Sequence, residues 1–174
     1  MGFDRGLLIV IPEQLDNRFR LGVALRWNND QTASIETHRS LVTVIPAEQR
    51  AGRAEALLQL AWSRVNKVAW NRIFGDSYIL AAYQDADEAL ALADLPLDKF
   101  MAEYTKAYSL LFTPDRDNRA LLERLTEAKR WFVEVPGQTP DIWNFFIGAE
   151  SLKAVLAADP IFQPILAQAE EKKG

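Results

Sequence analysis

Two different periods divide the chain. From Arg18 to Trp27, "RFRLGVALRW" alternates without error: Phe19, Leu21, Val23, Leu25 and Trp27 fall on one side, and Arg18, Arg20, Gly22, Ala24 and Arg26 on the other. Period two is the mark of a half-buried strand, because successive side chains of a strand point to opposite faces. "NNDQ", Asn28 to Gln31, has turn chemistry, and a second strand is expected from Thr32. Across 32–45 the phase slips, with Ile35 on the odd register and Val42 and Val44 on the even one; a bulge or short loop near "THRS" would produce it. "LLIVI" at 7–11, bounded by Gly6 and Pro12, reads as a more buried strand.

From about Pro46 the period becomes helical. Leu57, Leu58, Ala61, Trp62, Val65, Val68, Ala69 and Ile73 crowd an arc of roughly 160° on a helical wheel, opposite Arg53, Arg64, Lys67 and Asn71. Trp62 is therefore expected in the core. Trp70, eight residues on, is rotated about 80° off that stripe and shares a flank with Phe74. Gly75 is a natural stop.

Further helices are predicted after Ser77, over 98–112, and after "FTPD" (112–115), "QTPD" (138–141) and Asp159-Pro160. In these, Thr113, Thr139 and Asp159 are candidate N-caps ahead of a first-turn proline. "WFVEV" at 131–135 could close a helix or form a short strand. The pattern as a whole predicts an α+β fold in one domain over 1–174. A small antiparallel N-terminal β-sheet (1–45) of three or so strands packs on a body (46–172) of five to six helices.

Composition narrows the chemistry. The 174 residues are 49% hydrophobic and 25% charged, values of a globular domain. No run of 18 apolar residues suggests a membrane span, and the N-terminus lacks a signal-peptide pattern, so a cytoplasmic protein with no membrane partner is expected. Cysteine is absent, which removes disulfides, thiolate metal sites and cysteine nucleophiles. The single histidine, His38, falls where the strand register breaks and reads as a loop or edge residue. No G-x-S-x-G turn, phosphate loop or dinucleotide fingerprint occurs. The net charge of −4 conceals a split, +3 over residues 1–75 and −7 over 76–174.

These observations lead to a non-catalytic macromolecule-binding protein, an adaptor, inhibitor or assembly factor, with no cofactor and no metal. Arg18, Arg20 and Arg26, sharing a strand face, would meet another protein with an acidic surface, and Trp70 with Phe74 would form an aromatic flank. Two alternatives come from other classes. Nucleic acid could bind the basic half if Arg50, Arg53, Arg64 and Lys67 extend the patch and Trp70 stacks on a base, although a pI near 5.1 argues against it. A divalent-metal enzyme could use Asp85, Glu88, Glu123 and Glu127, whose spacings place carboxylates on helix faces.

Overall fold

In the computed structural model, which describes residues 13–71 and 77–170, all regular structure is helical. Nine α-helices follow one another among the described residues. They are α1 (Glu13–Trp27), α2 (Gln31–Val44), α3 (Arg50–Asn71), α4 (Ser77–Leu92), α5 (Pro96–Leu111), α6 (Asn118–Glu134), α7 (Pro140–Ile147), α8 (Glu150–Ala158) and α9 (Gln163–Glu170), with a 3-10 turn, Pro160–Phe162, before the last. The expected α+β architecture is therefore wrong: the described residues contain no strand, and the molecule is a helical bundle. The expected strand at 7–11 lies outside the described residues.

The error at α1 has a physical origin. Alternation over ten residues puts Phe19, Val23 and Trp27 on one side of a helix, and Leu21 and Leu25 on another. The face that turns inward instead runs Leu15, Phe19, Gly22 and Arg26, spaced by four, three and four residues, while Leu21 and Trp27 are exposed. Leucine, alanine and arginine, which fill most of this segment, are among the best helix formers.

The phase slip in 32–45 was the same period seen through the wrong template. Gln31, Ser34, Ile35, His38, Leu41 and Ile45 are buried at three- and four-residue steps. The turn was placed correctly. Asn29 takes a left-handed conformation, with φ 64°, and the Asp30 carboxylate caps α2 by accepting from the Ala33 N–H at 3.1 Å.

Other boundaries shift with their cap chemistry. α3 begins at Arg50 rather than Pro46. "FTPD" does not open a helix; α6 starts four residues later, where the Asp117 carboxylate accepts from the backbone N–H groups of Arg119 and Ala120. Pro140 does begin α7, although the Thr139 side chain makes no cap bond. Asp159 caps the 3-10 turn through the Ile161 N–H. Residues 131–134 finish α6, so the strand alternative for "WFVEV" falls away.

The centre of the bundle is α5, buried on nearly every side, with α3, α4 and α6 around it. Phe100 sits in the middle of the core, edge-on to Phe132 at 5.2 Å and to Phe146 at 4.9 Å between ring centroids. Helices α1 and α2 extend the row beyond α3, α1 resting mainly on α2.

Two charges are buried on α5 itself. Glu103 accepts from Arg124 of α6 at 3.2 and 3.0 Å, and the Lys106 ammonium donates to Asp87 of α4 at 2.6 Å. Burial raises the Glu103 carboxyl above its usual range, opposed by the neighbouring Lys106 and Arg124 charges. Arg124 also contacts Glu123. These pairs fix the registers of α4, α5 and α6 against one another.

Candidate functional site

His38 and the carboxylates Asp85, Glu88, Glu123 and Glu127 are all held in side-chain contacts within the bundle. His38 lies at mid-helix in α2, with no exposure to solvent, rather than on a loop or edge. Its Nε2 is packed on Gly22 of α1 so closely that a Cβ there would stand 2.5 Å away. On the other side, Nδ1 meets the hydroxyls of Ser34 at 3.4 Å and Ser63 at 3.3 Å. Ser34 donates to the Gly22 carbonyl at 2.8 Å and Ser63 to that of Gln59 at 2.8 Å. The two hydroxyls also lie 2.8 Å from each other, and His38 Nε2 has no hydrogen-bond partner among the described residues.

Arg26 adds a further tie, donating to Gln59 Oε1 at 2.7 Å. Burial first, and the Arg26 charge second, hold the His38 imidazole down at about 4, against a hydrogen bond to the Ser34 backbone. A buried histidine thus joins three helices.

The proposed basic strand face dissolves with the strand. Arg18, Arg20 and Arg26 point in three directions around α1. Arg18 and Arg20 are exposed, Arg20 pairing with Asp16 at 2.8 Å, while Arg26 turns inward to Gln59. The basic residues proposed for nucleic acid are also engaged between helices. Arg50 donates to the Ala91 carbonyl, Arg53 to the Val42 carbonyl and to Glu88, and Lys67 to Thr32 and Tyr78.

Arg64 faces Asp85 at 2.8 Å, although the Arg64 Nε and Asp85 Oδ2 lack a well-directed hydrogen bond. Burial raises the Asp85 carboxyl to about 6, against the pull of Arg64. The four carboxylates weighed as metal ligands are not brought together. Asp85 and Glu88 pair with arginines of α3, Glu123 with Arg124 and Glu127 with Arg130. No group of three or more acidic or histidine side chains able to hold a metal occurs among the described residues. Of the helical ion pairs that the spacing suggests, Glu127 with Arg130 forms, whereas Lys99 lies over the Trp131 ring and Glu103 pairs across helices.

What the bundle leaves open is aromatic. Trp62 is not sealed in the core. It is half-buried, and with Asn66 it forms one wall of a groove of about 360 Å³. Tyr104 and Tyr108, one turn apart on α5, form the floor with their rings stacked at 6.0 Å; Phe145, Phe146, Gly148 and Ala149 close the far side. The tryptophan ring meets Tyr108 at 5.5 Å and Tyr104 at 6.0 Å.

The Tyr104 hydroxyl donates to the Phe146 carbonyl at 2.9 Å, which ties the α7 end to α5. Burial first, then the neighbouring Tyr108, holds the Tyr104 hydroxyl well above its ordinary range, so it stays protonated. Gly148 is required where α7 ends, since a Cβ would stand 2.7 Å from the Asn144 carbonyl oxygen.

Phe145 is 79% exposed at the rim, and Trp70, two turns beyond Trp62 on α3, is 65% exposed. Trp70 is thus a surface residue; its expected companion Phe74 lies outside the described residues. Tyr104 and Tyr108 fall at helical spacing within the helix expected over 98–112, which does not by itself mark them as groove residues. The adjacent pair Phe145-Phe146 carried the missed signal, because two neighbours on a helix cannot both face the same core. Among the described residues no helix is long and apolar enough to cross a membrane. No family model, curated protein or solved structure matches the chain.

Proposed function

We propose that the chain is a non-catalytic binding protein that engages another protein through the groove between α3, α5 and α7. The observation that carries this reading is Phe145, an aromatic ring left 79% exposed at the edge of an aromatic groove. Exposing such a ring forfeits the burial that its neighbour Phe146 obtains, and exposed apolar patches mark interaction sites. Tryptophan and tyrosine, the lining residues here, are enriched among residues that dominate binding energy. The groove is large enough for one or two side chains of a bound segment.

A photo-crosslinking phenylalanine analogue at Phe145 tests the assignment, with the same analogue at exposed Thr43 of α2 as control. The expected result is a discrete protein adduct from position 145 in cells, absent from position 43. It is also lost when Asn66→Lys fills the groove. Adducts that appear equally at both positions, that survive Asn66→Lys, or that fail to form at either would overturn it.

A further inference from the structure

Resting on that reading, we infer that the segment bound in the groove carries an arginine, whose guanidinium lies on the aromatic floor while apolar neighbours pack against Phe145. The argument is one of charge and wall chemistry. Among the described residues no charged side chain lines the groove. Its walls and floor are ring systems, and the face of an aromatic ring is its negative side. Two carboxylates stand at the margin. Asp141 precedes Phe145 by one turn on the same face of α7, and Glu150 directly follows the lining residue Ala149.

Both carboxylates are exposed and neither forms an ion pair among the described residues. Lys153, three residues after Glu150, does not approach it within bridging distance. On the opposite wall Lys67, next to Asn66, is turned toward Thr32 and Tyr78. Among the described residues this margin thus carries two carboxylates without ion-pair partners, and the interior attracts cations through its π faces.

A planar, weakly hydrated guanidinium suits stacked rings better than an ammonium does. The Asn66 amide, with no hydrogen-bond partner among the described residues, can hydrogen-bond the bound segment's backbone. The partner surface this predicts is basic, opposite in sign to the one suggested by the arginines of α1.

A display selection of random peptides of about twelve residues on the intact protein, counter-selected on Asn66→Lys, tests the inference apart from its premise. Groove-dependent peptides are expected to contain arginine beside leucine or an aromatic residue. Replacing that arginine with citrulline should weaken binding at least about tenfold, and Asp141→Asn with Glu150→Gln about fivefold. The effect of the two carboxylates should fade as salt rises from roughly 50 to roughly 500 mM. Groove-dependent peptides that lack arginine, or that tolerate citrulline and the neutralised carboxylates, would overturn the arginine assignment and leave the groove as a binding site. No groove-dependent peptide at all would overturn both.

Discussion

The junction of α1, α2 and α3 and the groove of α3, α5 and α7 are inverted images of each other. The junction buries what water would welcome: a histidine, two serine hydroxyls and part of an arginine, with His38, Ser34 and Ser63 wholly shielded. The groove shows to water what a core would welcome, a tryptophan, two tyrosines and a phenylalanine pair. Both use α3, whose Ser63 serves the first and whose neighbouring Trp62 serves the second. Reactive residue types are therefore a poor guide to function in this bundle. Sealed polar groups define how helices dock, and open apolar groups form the surface proposed for binding.

Truncation separates the two kinds of aromatic residue most sharply. Phe100→Ala, at the closed centre beneath the groove, is expected to cost about 3–5 kcal/mol in chemical denaturation. The same measurement on Phe145→Ala should show little change. Equal losses would mean that the rim is core.

Acidification should act on the junction next most strongly. Histidine unfolded titrates near 6.5 and His38 folded near 4, so between these values the unfolded state binds more protons. Stability from this group is complete above about 6.5 and declines as pH falls toward 4, by about 3 kcal/mol. Asp85 acts in the opposite sense. Its carboxyl is raised from 3.8 to about 6, so its contribution is complete below 3.8 and is lost as pH rises through 6. Denaturation across this window should therefore show a shallower decline for His38→Gln than for the wild type, and a steeper one for Asp85→Asn. Identical slopes in all three proteins would show that neither group is sealed as described.

Gly22 tests the close packing behind that shift. A Cβ at this position would stand 2.5 Å from His38 Nε2 and 2.6 Å from Cε1, so the ring or the helix must shift. Gly22→Ala is expected to lower stability by about 1–3 kcal/mol, despite alanine's better helix propensity. In a His38→Ala background the same change should be harmless. A double-mutant cycle with no coupling would break the junction's account.

The smallest stability effect belongs to the exposed ring of α3. Trp70→Ala should change stability by at most about 0.5 kcal/mol, as surface substitutions do. A loss of several kcal/mol would place Trp70 under a covering segment. In the crosslinking assay above, Trp70→Ala will show whether the binding surface extends two turns beyond Trp62.

Much of the bundle was legible in the pattern of residues. The helical stripe of α3 from Leu57 to Val68, the start of α4 at Ser77, proline at the head of α7 and the Asp159 cap all follow from local rules that tertiary contacts left in force. The α1 pattern was misleading because ten alternating residues satisfy a strand template while their individual propensities favour a helix. The groove was illegible for another reason: its walls come from three helices, α3, α5 and α7, that lie far apart along the chain. Only the Phe145-Phe146 doublet hinted that one ring must be left outside.

The amino-acid sequence by itself determined the absence of thiol chemistry, the helical period after Pro46 and the opposed charges of the two halves, because composition and periodicity are properties of the chain alone. The tertiary structure decided the rest. It drew Arg53, Arg64 and Lys67 into contacts between helices, sealed His38 against Gly22, and split the tryptophans of α3 between a groove wall and open solvent. Local sequence sets which face a residue occupies on its helix; which neighbour covers that face depends on how distant helices cross, and no local pattern encodes that.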